Sequence, residues 1–342
     1  MINFLSLRLG TLLALAALLC SLGSGFALAQ GTLEKIRVAG PALKGNLEGD
    51  DAVRDVLVYL PPGYTAATST RYPVVYFLHG YSVGARFYAD QVHLPASADQ
   101  AIAAGAKPAI IVLPDALSVY GGSMYSNSAT TGDWETFIAH DLVAYIDKHY
   151  RTLARRESRG LSGHSMGGYG TMRIGMAHPE VFGALYAMSS CCLLNQAPAK
   201  EAVEAQITRM ADGPLASDKG FANVLEAQAA AWAPNPHNPP FFFDWPFVNG
   251  EAQALVQGKW IANSPLITVD QHVPALKRYK AIALDVGDKD TLAASNNQLD
   301  AALTRLGVAH TFEVYDGDHT NHVDQRFLNQ LLPFFSQQLS TL

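Results

Sequence analysis

In RGLSGHSMGGYG, residues 159–170, Ser165 stands between Gly163 and Gly167. A turn this abrupt leaves no room for side chains beside the serine, so these glycines constrain the backbone more than any other stretch of the chain. A plain Gly/Ser-rich loop is the alternative, and the flanking residues argue against it. RGLSGHS reads as a short strand and MGGYGTMRIGMAHPE as a helix, which holds the serine at a helix N-terminus.

The rest of the chain predicts the sheet that such a turn needs. KIRVAG and VRDVLVYLPPGY read as consecutive antiparallel strands, the second closed by a Pro-Pro-Gly turn. RYPVVYFLHG and KPAIIVLPDA are nearly continuous apolar runs, as central strands buried on both faces require. In WETFIAHDLVAYIDKHY, Phe137, Ile138, Leu142, Val143 and Ile146 form an apolar stripe at helical spacing. FGALYAMSS, KAIALDVG and HTFEVYDG read as strands, TLAASNNQLDAALTRLG and VDQRFLNQLLPFFSQQL as helices. Between them, residues 193–279 offer helical pieces and the run WAPNPHNPPFFFDWPF, with no strand alternation, and no internal repeat occurs in the chain. The pattern predicts an α/β fold with a mostly parallel central sheet and helices on both faces. It has the look of an α/β-hydrolase, with 193–279 as a lid or cap inserted after the sixth strand.

Composition sets the outer limits. A hydrophobic share of 49% over 342 residues supplies a large core and excludes disorder. The net charge of −6 is mild and no basic cluster stands out, so nothing points to a nucleic-acid or anionic-membrane partner, and no nucleic acid is expected. Arg8, the run TLLALAALLC and Ala27-Leu28-Ala29 predict a signal peptide over 1–29, cut before Gln30, with the α/β-hydrolase domain at 30–342. The apolar run is too short for a comfortable membrane span, so an exported protein, periplasmic or extracellular, is expected. Beyond it only Cys191 and Cys192 remain; they are expected as two buried thiols, with a vicinal disulfide as the alternative.

Active groups of such a sheet gather at the carboxyl ends of its strands. Ser165 follows the fifth strand, Asp288 and Asp290 the seventh, and His319 the eighth, in the chain order Ser…Asp…His. Serine needs a base held in register, and His319, directly after its strand, is preferred over His322, which enters the last helix. The His319/His322 spacing would also suit a metal, but no third ligand accompanies it. Turn geometry prefers Asp290 over Asp288 as the acid, leaving Asp288 to support the turn or cap a helix. The oxyanion donors are expected at the N–H groups of Met166 and of Tyr81, which follows His79-Gly80. His164 is expected as a core histidine beside the site.

LPPGY at 60–64, YPVVYFLHGY at 72–81, DLVAYIDKHY at 141–150, GLSGHSMGGYG at 160–170, VGDKD and GDHT together resemble the esterase D or Putative esterase family. That family holds feruloyl esterases, S-formylglutathione hydrolases, enterochelin esterases and mycolyltransferases. The resemblance implies Ser165 as nucleophile, His319 as base, Asp290 as acid through its G-x-x-D pattern, and oxyanion donors at Tyr81 and Met166. No glutamate stands where the mycolyltransferases carry their acid, and the insertion is long for the simplest members.

The expected activity is an exported serine esterase that needs no metal or organic cofactor and acts on a small-molecule or polymer-linked ester. An acyltransferase with the same triad is the nearer alternative, a non-catalytic binding protein the more distant one. Tyr125, Asn127 and Trp134 are candidates to line the pocket, with Trp134 equally suited to anchoring its helix. The PPFFFDWPF run fits an apolar seam holding the lid to the body, with two or three of its residues reaching substrate.

Overall fold

The structure, a computed structural model, describes residues 30–195, 198–210 and 222–342. The expected leader at 1–29 lies outside them. An eight-stranded sheet runs through the unit Gly31–Leu342. Its strands are β1 (Thr32–Ala39), β2 (Val53–Leu60), β3 (Val74–Leu78), β4 (Ile110–Pro114), β5 (Arg159–His164), β6 (Ala184–Met188), β7 (Ala281–Gly287) and β8 (Thr311–Tyr315). Their spatial order is β1-β2-β4-β3-β5-β6-β7-β8. β2 pairs antiparallel with both β1 and β4; every later pairing is parallel.

The apolar runs are continuous because both faces are covered. Val74, Tyr76 and Leu78 of β3 join one core and Val75 and Phe77 the other; Ile110 and Val112 of β4 separate from Ile111 and Leu113 in the same way. The longer helices are α1 (Ala85–Gln91), α2 (Ala96–Ala103), α3 (134–149), α4 (Met166–Ala177), α5 (Lys200–Arg209), α6 (Val224–Trp232), α7 (Ala254–Ala262), α8 (Ala293–Arg305) and α9 (323–338). Residues of α1, α2 and α9 fill one core; those of α3, α4, α8 and the insertion fill the other. All five stripe residues of α3 are buried there. No helix of the described residues is long and apolar enough to cross a membrane.

The insertion between β6 and β7 is mainly helical, but it holds one short ladder that alternation did not reveal. Phe247–Val248 pairs antiparallel with Glu251–Ala252. Asn249 and Gly250 make the turn with φ of 50° and 80°, the conformation that an Asn-Gly pair supplies to a two-residue hairpin. The signal lay in the dipeptide; two-residue strands are too short to alternate.

Candidate active site

Local sterics build the turn at Ser165. A Cβ on Gly167 would run into the Leu78 carbonyl at the end of β3, and one on Gly163 would reach the Gly167 carbonyl carbon at 2.5 Å. Ser165 itself has φ 59° and ψ −114°, a conformation that costs a non-glycine residue about 1–3 kcal/mol and persists only where its surroundings over-determine it. Here they do. The Ser165 N–H donates to Met188 at 3.0 Å, and its carbonyl accepts from Tyr169 at 3.0 Å and Cys191 at 3.1 Å. Gly168 packs against the Met188 carbonyl, so α4 sits close to the sheet; Gly170 makes room instead for the ring of Tyr125.

The turns after β7 and β8 are stitched to each other. Asp288 N–H donates to the Tyr315 carbonyl at 2.8 Å and Lys289 N–H to that of Gly317 at 2.9 Å, while Gly317 N–H donates to Asp288 Oδ1 at 3.0 Å. Asp288 therefore supports the turn, and Asp290 is the carboxylate left facing the histidine. Its Oδ1 accepts from Leu292 N–H at 2.8 Å, and its Oδ2 accepts from His319 Nδ1–H at 2.7 Å. The opposite nitrogen, His319 Nε2, accepts from the Ser165 hydroxyl at 2.9 Å. Burial would raise the Asp290 pKa, but the His319 hydrogen bond, the Leu292 amide and the nearby imidazole outweigh it and hold the group below the usual carboxylate range. His322 takes another course: it precedes the first residue of α9, its ring against Tyr315. Among the described residues, the side chains close enough to share a metal ion are His140, His178 and Glu180, away from the His319/His322 pair.

His164 holds His319 from behind. Its Nε2 lies 2.8 Å from the His319 carbonyl, which can only accept, so Nε2 carries the proton. Nδ1 then accepts from the Tyr88 hydroxyl at 2.7 Å. Burial, with the His319 imidazole adding to it, pushes the His164 pKa down to about 3, so the ring stays neutral and keeps this tautomer. His79 does comparable work on the neighbouring loop: Nε2 accepts from Ala116 N–H and Nδ1–H donates to the Gly80 carbonyl, each at 2.7 Å. Burial likewise lowers its pKa.

Tyr81 lines the same cavity as Ser165, its hydroxyl anchored on the Tyr120 carbonyl at 2.7 Å. A Cβ on Gly80 would stand 3.4 Å from that of Ser165, so the 80–81 peptide runs beside the serine. Met166 opens α4, whose first-turn amides have no helical carbonyl to meet. Together these features bring the Ser165 hydroxyl and the His319 imidazole into register, with the 80–81 peptide and the head of α4 beside them.

The cavity holds about 330 Å³, the lower end for a small-molecule site. From the body come Tyr81, Met124, Ser165, Cys191, Cys192 and Leu292; from the insertion come Leu194, Asn195, Val224, Gln228, Trp232 and Trp260, among others. The three residues expected to line it from the loop after β4 are turned elsewhere. Tyr125 is fully buried, its hydroxyl bonded to the His79 carbonyl at 3.1 Å. Asn127 exchanges hydrogen bonds with Thr136 in the first turn of α3. Trp134 anchors that helix, its indole N–H on the Thr131 carbonyl at 2.8 Å and its ring edge-on to Phe137. In each case a polar atom finds a partner among the body's own residues, buried for Tyr125 and Trp134 and at the surface for Asn127, and none of the three lines the cavity; the loop offers Met124 instead. The PPFFFDWPF run also stays out of the cavity. Phe243 is buried against Tyr120 and Trp245 and binds the insertion to the body.

Sequence reasoning missed Trp232, Trp260 and Gln228, and nothing in the sequence marks which face of a lid helix turns inward. It also missed that the two cysteines line the cavity, although their place just beyond β6 puts them at a strand end.

The family described as Putative esterase matches residues 51–335. An endo-1,4-beta-xylanase/feruloyl esterase of Xylanibacter ruminicola is 33% identical over 130 residues, 37% of this chain and 18% of that protein. Esterase Rv1288 of Mycobacterium tuberculosis is 35% identical over 125 residues, 34% of this chain and 25% of that protein. The matches thus take in a quarter or less of those relatives' length. A solved ferulic acid esterase shares the fold with a TM-score of 0.66 and 24% identity, covering 91% of this chain and 99% of its own. With the match spanning most of the chain, from β2 to α9, the protein belongs to the Putative esterase family of α/β-hydrolase fold.

Proposed function

We propose that the protein is a serine esterase that cleaves carboxylic esters through an acyl-enzyme. The carrying observation is that His319 meets Ser165 at 2.9 Å and Asp290 at 2.7 Å through its two ring nitrogens at once. Ser165 Oγ attacks the ester carbonyl as His319 Nε2 takes its proton, and Asp290 stabilises the imidazolium that forms. The Met166 and Tyr81 N–H groups receive the charge that develops on the carbonyl oxygen. His319 then protonates the departing alcohol, and water, activated by the same imidazole, releases the acid. The apolar cavity wall with Trp232 and Trp260 suits an apolar or aromatic acyl group, in keeping with the feruloyl esterases among the relatives.

A fluorophosphonate probe should label Ser165 and abolish cleavage of short-chain, long-chain and feruloyl esters, and Ser165→Ala should neither label nor cleave. Ester cleavage that persists in Ser165→Ala would sink the reading. Running the assay with glycerol or a sugar present separates hydrolysis from acyl transfer, since a transferase would make the acylated acceptor. Export is part of the proposal and rests on Arg8, the TLLALAALLC run and Ala27-Leu28-Ala29. N-terminal sequencing of protein recovered outside the cytoplasm should begin at Gln30; recovery of uncut chain in the cytoplasm alone would contradict it.

A further inference from the structure

Beyond residue 29 the chain has two cysteines, and both line the cavity at Ser165. Neither is bonded to another cysteine, and their Sγ atoms stand 2.7 Å apart. Their backbone is held at its N-terminal end. The Cys191 N–H donates to the Ser165 carbonyl at 3.1 Å. Just before it, Asn296 of α8 accepts from Ser190 N–H at 3.2 Å and donates to the Ser190 carbonyl at 2.9 Å. Cys192 has φ 57°, a left-handed conformation that costs a side-chain-bearing residue energy, and its sulfur accepts from the Gln228 amide of the insertion at 3.7 Å. The thiols thus sit between the nucleophile's backbone and the lid.

We propose that Cys191 and Cys192 form a modification site, at which exchange with a small-molecule disulfide closes a vicinal disulfide that reshapes the pocket and slows ester cleavage. Only the effect on rate rests on Ser165 as nucleophile; the bond does not. One cysteine thiolate attacks a sulfur of the external disulfide, forming a mixed disulfide and releasing the first external thiol. The neighbouring cysteine gives up its proton to solvent and attacks the protein-side sulfur, which releases the second. Two cysteine thiols are oxidised and one external disulfide is reduced to two thiols. The hydrogen bond to Cys192, with burial next, pushes the Cys191 thiol pKa up. Bridging adjacent residues draws both Cβ atoms together and turns the peptide between them. The turning peptide adjoins Cys191, whose N–H holds the Ser165 carbonyl at 3.1 Å, so closure shifts Cys191 against that carbonyl, and a small misplacement of a nucleophile is costly.

The test treats reduced, folded protein with oxidised glutathione and follows intact mass, alkylatable thiols and kcat/KM on a short-chain ester. The expected product is lighter by two hydrogens, has lost both alkylation sites, and has a kcat/KM lower by about tenfold, with all three restored by dithiothreitol. Cys192→Ser, with one thiol, should never show the loss of two hydrogens. The proposal fails if both thiols of the folded protein stay alkylatable, if a glutathione adduct accumulates unresolved, or if the pair closes with kcat/KM unchanged. A mass shift in protein that neither cleaves esters nor takes a fluorophosphonate would overturn Ser165 as nucleophile and leave the bond standing. Active, labelled protein with no mass shift would do the reverse.

Discussion

The turn around Ser165 and the insertion at 193–279 meet at one cavity but are specified in different ways. At the turn, backbone atoms collide with any added side chain: Gly163 and Gly167 face carbonyl groups, which have nowhere to go. In the insertion, packing and a few hydrogen bonds set the geometry. The Asn263 carbonyl accepts from Tyr169 of α4 at 2.9 Å and from Asn195 at 3.0 Å. Its side-chain oxygen accepts from Arg173 at 2.6 Å, and Trp232 meets Trp260 edge-on at 5.4 Å. Steric exclusion tolerates no substitution, whereas side-chain packing can re-form around one. On the proposed function, the catalytic centre rests on the first region and the choice of ester on the second.

That division can be broken most directly at the nucleophile. Ser165→Ala should lower kcat/KM by about a millionfold with thermal unfolding unchanged; steady-state kinetics and calorimetry on one preparation would read both. Asp290→Asn should cost about 10⁴-fold in kcat. Asp288→Asn can still accept from Gly317 and should stay within about fivefold of wild type; equal losses at the two positions would mean the turn, not the carboxylate, matters.

Glycines sharpen the contrast in stability. Gly167→Ala should lose about 3 kcal/mol, whereas Gly258→Ala, on the exposed face of α7 where nothing lies within 4 Å of an added Cβ, should gain about 0.5–1 kcal/mol. Denaturant midpoints would give both signs. Trp260→Ala should raise KM more than it lowers kcat, by about tenfold for bulky acyl esters, and an equal change for acetyl esters would count against its role in the pocket wall.

The smallest expected effect is on pH-dependent stability. Asp290 has its pKa held below the usual 3.8. Its contribution to stability is thus present above pH 3.8 and is lost as pH falls through the lowered value. The stability gap between wild type and Asp290→Asn should accordingly narrow on acidification and stay level through neutral pH, as chemical unfolding at several pH values would show.

The succession of strands and helices along the chain and the serine turn could be read from the sequence; the order of the strands in the sheet could not. Periodicity, glycine sterics and position after a strand are properties of neighbouring residues, so local sequence carries them. Asp290 was separable from Asp288 because the turn after β7 has its own geometry. The candidates Tyr125, Asn127 and Trp134 had no such guide: their loop was placed correctly, but which way each side chain turns depends on partners such as His79, Thr136 and Thr131.

Local sequence thus determined a mostly parallel sheet, a strained serine at the head of α4, and an aspartate and a histidine two and three strands further along. Only the tertiary structure decided what surrounds that serine. The cavity wall is drawn from Met124, the paired cysteines and the inward faces of α6 and α7, which come together only when the insertion docks on α4. Docking depends on contacts between residues far apart in the chain, and no local pattern records them.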